Sequence, residues 1–323
     1  MAVVNCRTLF LMPHPTRLPS IVTRREFLRQ GGSVAALVLA GPLTVRAREE
    51  KLPPALVGSN VYGWTQFAKR EGWAFDIETV LSALRDCGYD YLEATLNLAQ
   101  PEENARFAEQ SRAKGLKPVS LYVGAPFHEP ALAEQSVEKI VAAAAVCRRA
   151  GFSVIVCNAD PLKGASREKT DAELAVQTAA LERLGRELQR LGLKLALHDH
   201  LPGLASGARE LRANFDRTDP QAVGFCYDVH WLWRGGIQPP EALAAYGSRL
   251  VTWHLRQSRD NLWLEELSDG DIDYRWIARY AAEHRLPRLF EVELALAPNT
   301  RLTRSAIENH RRSRDYVRQV FGV

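Results

Sequence analysis

From residue 55 onward, short apolar runs alternate with segments of helical spacing, and this alternation restricts the fold more than any single motif. The apolar runs cover residues 55–62, 89–96, 117–123, 152–157, 194–197, 222–227, 249–253 and 288–294. Helical stretches follow at 76–87, 102–114, 134–150, 171–191, 205–215, 240–246, 274–284 and 303–321. Gly88, Gly115, Gly151 and Gly192 stand where four of these helices should stop. The runs are nearly continuous in apolar residues, as a parallel sheet buried on both faces requires. The fold class is therefore α/β, and the strand–helix units predict a (β/α)8 TIM barrel. An open doubly wound sheet would need a glycine-rich phosphate loop after its first strand, and Gly58-Ser-Asn-Val-Tyr-Gly63 is not one. A chain of 323 residues with 46% apolar content is ample for one such domain, placed at 48–323.

The net charge of +4 owes much to the first 50 residues, where Arg7, Arg17, Arg24, Arg25, Arg29, Arg46 and Arg48 face only Glu26, Glu49 and Glu50. The remainder is close to neutral and carries no basic stripe, which excludes nucleic acid as a partner. Cys87, Cys147, Cys157 and Cys226 form no CxxC pair and read as free buried thiols, with Cys6 apart near the start. Thr23-Arg24-Arg25-Glu26-Phe27-Leu28-Arg29 resembles a twin-arginine export motif. The apolar run at 32–41 is too short to span a bilayer, and Val45-Arg-Ala47 fits a cleavage site. The expectation is a signal peptide at 1–47, read by the twin-arginine export machinery, then a periplasmic protein without stable membrane insertion.

In a barrel of this kind, active sites lie at the carboxyl ends of the strands. The polar residues expected there are Asn60, Glu93, His128, Asn158, His198, His200, Asp228, His230, His254, Glu291 and Glu293. Taken singly, a strand-end histidine is more often structural than functional. Crowded into one mouth, such groups would be costly to bury without a cation. Mixed imidazole and carboxylate suit Zn, Mn, Fe or Co better than Ca or Mg alone. Strand alternation puts Glu291 with Glu293 on one face, and His198 with His200 on another. Asp228 and His230 share a face if the strand continues that far.

These pieces together resemble the sugar phosphate isomerase/epimerase family, whose fold is the xylose isomerase-like barrel. The matching stretches are Gly88-Tyr-Asp-Tyr-Leu-Glu93, Leu197-His-Asp-His200, Tyr227-Asp228, His254-Leu-Arg-Gln-Ser258, Asp269-Gly-Asp-Ile-Asp273 and Val292-Glu293. The resemblance implies a divalent metal (Mn, Zn, Co, Fe or Mg) held by His198, Asp228, His254 and Glu293. It departs from the family where epimerases commonly carry a second glutamate, because His198 stands there.

The implied chemistry is proton abstraction next to a carbonyl, with the metal polarising the carbonyl and stabilising an enediolate. Glu293 is the first choice of base, with His198 or His200 on the opposite face. Glu93, Asn158, Trp64, His230, Trp231 and Arg256 are the candidate substrate contacts. Aromatic faces suit sugar rings, although tryptophans also fill barrel ends. The primary expectation is a metal-dependent isomerase or epimerase acting on a sugar or keto-sugar. The same site could serve a lyase or dehydratase, and the same barrel could bind carbohydrate without catalysis. The expected partners are a small carbohydrate and the export machinery, with a homo-oligomer left open.

Overall fold

The computed structural model describes residues 54–162 and 167–323. The leader expected at 1–47, with its export motif and cleavage site, lies outside the described residues. Eight parallel strands close into a barrel in chain order. They are β1 (Leu56–Asn60), β2 (Tyr91–Thr95), β3 (Ser120–Ala125), β4 (Val154–Ala159), β5 (Lys194–His198), β6 (Gly224–Asp228), β7 (Leu250–Leu255) and β10 (Leu289–Val292). Between the last two, β8 (Ser258–Arg259) and β9 (Leu262–Trp263) form a separate antiparallel hairpin. The barrel closes at Gly58 of β1, which sits in register with Glu291 of β10 and Tyr91 of β2. A Cβ on Gly58 would lie 2.3 Å from the Tyr91 ring, so only glycine lets that ring cross the barrel floor.

The helices are α1 (Val61–Glu71), α2 (Ile77–Asp86), α3 (Pro101–Ala113), α4 (Pro130–Arg149), α5 (Asp171–Arg190), α6 (Ala205–Asp216), α7 (Val229–Arg234), α8 (Pro239–Tyr246), α9 (Tyr274–Glu283) and α10 (Ala306–Phe321). Their ends follow local chemistry. Asp76 accepts the Thr79 amide at 2.8 Å to start α2, and Thr170 and Glu173 form a reciprocal capping box on α5. Gly151 and Gly192 follow α4 and α5 with φ of 97° and 78°, so the helices stop where expected. Among the described residues, no helix is long and apolar enough to cross a membrane. Cys87, Cys147, Cys157 and Cys226 are free and buried.

Both strand faces are buried, yet they differ. Outward residues such as Val57, Leu121, Ile155, Leu197, Phe225, Trp253 and Phe290 join the main core between strands and helices. The inward set includes Val154, Val156, Ala196 and Cys226, a small cluster inside the barrel. The inward parity continues from Ala196 to His198 and from Cys226 to Asp228. Small inner side chains low in the barrel thus give way to ionisable ones at its carboxyl end.

Two strands end at residues that cap the next helix. The Asn60 side chain accepts the Tyr62 amide at 2.8 Å, turning the chain into α1 at Val61. Asp228 accepts the Trp231 amide at 2.7 Å and starts α7 at Val229. His230 therefore lies on a helix, and the strand does not continue far enough for it to share a face with Asp228.

Candidate functional site

His198 at the end of β5, Asp228 at the end of β6, His254 on β7 and Glu293 just past β10 bring one donor atom each within 4.8 Å of one another. All four are buried. His198 Nε2 lies 3.2 Å from Asp228 Oδ2, and His254 Nδ1 lies 3.3 Å from Glu293 Oε2. Two imidazole nitrogens and two carboxylate oxygens converging in a dry site form a donor set suited to zinc, manganese, iron or cobalt.

Arg256, also buried, braces this ring from the side. Its Nη2 lies 2.9 Å from Glu293 Oε1 and 3.4 Å from Asp228 Oδ2. The guanidinium sits 4.5 Å from the Trp263 ring centroid and 5.1 Å from that of Trp231. The cation is thus held between two carboxylates and two indoles. Trp263 is placed by the hairpin, whose Asp260-Asn261 turn has positive φ at both positions. Asp271, from the family-like Asp269–Asp273 stretch, accepts both turn amides at 2.9 Å and the Ser258 hydroxyl at 2.7 Å. Gly270 beside it has no room for a Cβ, which would fall 2.2 Å from Ser258 O.

Below the ring lies a second set. Glu93 Oε1 is 3.3 Å and Glu291 Oε1 is 3.6 Å from His254 Nε2. Asn60 Nδ2 donates to both carboxyls, at 3.3 Å and 3.0 Å. The electrostatics follow from this crowding. Burial alone would raise Asp228 and Glu293. The His198 hydrogen bond and the Arg256 charge outweigh it at Asp228, which falls well below the usual carboxylate range. At Glu293 the Arg256 charge and His254 prevail and hold it down to about 2. Burial and the Glu93 charge push Glu291 well above its ordinary value. Burial and the neighbouring His198 lower His200 to about 4, so it is neutral at pH 7.

A cavity of about 390 Å³ opens over the ring, bounded by Asn60, Glu93, Tyr122, His198, His254, Glu293, His200, Arg256, Trp231, Trp263 and Tyr62. His200, just past β5, has its ring 4.6 Å from that of His198 and 5.6 Å from Trp231. Of the candidate substrate contacts, Glu93, Trp231 and Arg256 border this cavity. Trp64, Asn158 and His230 do not. Trp64 faces the helical shell from α1, stacking on His310 at 3.9 Å and donating to Ser59 Oγ at 3.2 Å. Asn158 is in register with His198, but its Nδ2 turns to Ala159 O at 3.1 Å. His230 lies under the mouth, 3.1 Å from Ser258 Oγ and walled by the Trp231, Trp233 and Trp263 rings. Tyr122 and Trp263 were not among the candidate substrate contacts. The Asp260-Asn261 dipeptide was the available signal for the hairpin that brings Trp263 to the mouth.

With this geometry in view, comparison with known proteins is informative. An inosose dehydratase of Geobacillus kaustophilus (strain HTA426) is 27% identical over 210 residues, spanning 61% of this chain and 67% of that protein. A sugar phosphate isomerase/epimerase structure from Parabacteroides distasonis ATCC 8503 superposes with a TM-score of 0.66 at 19% identity, covering 81% of this chain and 93% of that one. The IOLI protein, solved with a zinc atom, superposes at 0.63 with 16% identity, over 83% of this chain and 98% of that one. At such identities the superpositions establish the fold alone. Residues 81–317 match the family described as the xylose isomerase-like TIM barrel. The closed eight-stranded barrel agrees with that match, and the chain belongs to the xylose isomerase-like TIM barrel family.

Proposed function

We propose that this protein is a divalent-metal-dependent lyase that removes water from a keto-polyol or keto-sugar, beginning with proton abstraction next to the carbonyl. The observation that carries this reading is the unlike pair of groups lining the cavity: neutral His200, and Glu293 committed to Arg256 and His254. Epimerisation calls for two groups of similar basicity on opposite faces, whereas dehydration can proceed with one base and a returned proton. The likeness to an inosose dehydratase supports the same choice.

His198, Asp228, His254 and Glu293 would hold the metal, which supplies positive charge at the substrate carbonyl oxygen. The remaining roles fall to the chain. Arg256 keeps Asp228 and Glu293 ionised as ligands, and with Trp231 and Trp263 it excludes water. Glu293, paired with Arg256 and His254 and counted among the ligands, is not free to serve as the general base. His200 accepts the proton from carbon and passes it to the departing hydroxyl, so one proton is taken, one is returned and water leaves. Tyr62, Trp231 and Trp263 offer aromatic faces to the apolar side of the substrate ring.

The experiment is to incubate the metal-loaded protein with keto-inositols and keto-sugars in deuterated water and analyse the products. A product lighter by one water and dependent on His200 supports the lyase. A product of unchanged mass with deuterium at carbon favours the second reading, an isomerase or epimerase in which Glu293 and His200 serve opposite faces of the shared cavity. Saturable binding without turnover would make the barrel a carbohydrate-binding protein. Export rests on the Arg24-Arg25 motif and is proposed on that ground alone. A precursor that stays uncleaved in the cytoplasm would reject it.

A further inference from the structure

His254 presents its two ring nitrogens to two different groups of carboxylates. Nδ1 faces the upper ring, 3.3 Å from Glu293 Oε2, and Nε2 faces the lower set, 3.3 Å from Glu93 Oε1 and 3.6 Å from Glu291 Oε1. The lower set has no place in the chemistry described above, yet all its members are buried. Two carboxyls placed together inside a barrel are destabilising unless something uses them.

Their geometry is fixed from one residue. Asn60 Oδ1 accepts the Tyr62 amide at 2.8 Å as the cap of α1, which turns Nδ2 inward. That one amide group then donates to Glu93 Oε1 and to Glu291 Oε1. The far oxygens, Glu93 Oε2 and Glu291 Oε2, have no hydrogen-bond partner among the described residues. The near oxygens are thus held within ion-pair distance of His254 Nε2, which has no hydrogen-bond partner among the described residues, by a donor that is itself held by the helix start. Strand register builds the rest, since Asn60 pairs with Glu93, and Glu291 pairs with His254.

We propose that Glu93 and Glu291 are positioning residues that act through His254. By accepting the Nε2 proton, they fix the tautomer that leaves Nδ1 free to face the upper ring, orient the imidazole and strengthen it as a ligand. This rests on the metal reading given above. It also revises the expected role of Glu93, from direct substrate contact to action through the imidazole.

The test uses Co²⁺ as the probe and the full chain, with Glu93→Gln, Glu291→Gln and the double variant. The readouts are the Co²⁺ dissociation constant by chelator competition, the visible spectrum of the bound ion and the melting temperature of the metal-free protein. The expected result is weakening by roughly 10- to 100-fold for the carboxylate variants, with an altered cobalt spectrum. A purely structural role would move the melting temperature and leave the affinity and spectrum of the folded protein unchanged, and that result overturns the proposal. Should Glu93→Gln fail to fold, Glu93→Asp carries the same test, because it keeps the charge and withdraws it from Nε2. If the lower-set variants abolish binding while Asp228→Asn and Glu293→Gln bind normally, the ion sits in the lower set and the positioning role is wrong. Absence of Co²⁺ binding by the unaltered protein defeats the metal reading itself, a different failure from unchanged affinity in the variants.

Discussion

Two buried clusters of tryptophan and histidine lie in different parts of this barrel. In the shell, Trp64 stacks on His310 at 3.9 Å, with Phe67 and Tyr89 at the imidazole edges. At the mouth, Trp231 and Trp263 flank Arg256, which reaches the carboxylates beside His198 and His254. The two imidazoles His310 and His254 are equally dehydrated. Among the described residues His310 hydrogen-bonds only to the Ala306 carbonyl, at 2.7 Å, and burial pushes it down to about 3. At His254 burial acts the same way, but Cys226, Glu291 and Glu93 outweigh it and the pKa rises well above the ordinary value. Burial sets the penalty on charge, and the neighbours decide whether the charge is kept. One cluster seals helices onto the barrel, whereas the other is equipped to hold a cation.

The contrast breaks most sharply at His254. Replacing it by Gln should lower metal affinity and activity together, by roughly 1000-fold or more in kcat/KM, because a Lewis acid contributes several kcal/mol. His310→Gln should leave metal affinity unchanged. Equal losses in both variants, measured by metal titration and turnover, would erase the distinction. The tryptophans supply the next largest effect. Trp64→Ala should destabilise the protein by about 3–5 kcal/mol through the cavity it leaves, read as a shift of the urea midpoint. Trp231→Ala should cost much less stability.

A smaller effect appears with pH. His310 is held near 3 in the folded protein against about 6.5 when unfolded, so the unfolded chain binds the extra proton. The stabilisation from neutral His310 is complete above about 6.5 and is lost as the pH falls toward 3, at no more than about 1.4 kcal/mol per pH unit. Urea unfolding at several acidic pH values should show that slope reduced in His310→Gln. The smallest effect falls on Trp231. Its Ala variant loses one face of the Arg256 sandwich, worth about 1 kcal/mol, and should raise KM or the metal dissociation constant by roughly fivefold. A change confined to stability would move Trp231 into the same class as Trp64.

The sequence made the barrel legible because strand, helix and stop signals are local. Cap residues such as Asp76 and Thr170, and glycines such as Gly151, act within a few positions. The four ring residues stood among the polar residues that end the strands, and the family resemblance implied the choice of these four. Three candidate contacts were placed less well. Trp64 and His230 lie beyond strand ends, where Asn60 and Asp228 cap helices and rotate the next residues out of the strand pattern. Asn158 has the inward parity, but its amide bonds to its own backbone neighbour.

By itself, then, the sequence determined the alternation of elements, their stops and the identity of the polar residues that end the strands. Those depend on neighbours along the chain. Only the tertiary structure decided which of these residues meet. Register sets Glu291 against His254, Asn60 against Glu93 and Asp228 against His254, across separations of 37, 33 and 26 residues in sequence. The Arg256 guanidinium reaches Asp228 and Glu293 only because β6, β7 and β10 are adjacent in the closed barrel. Inter-strand register and barrel closure bring distant charges within a few ångströms in a dry interior, where Coulomb interactions are strong, and no local pattern encodes that proximity.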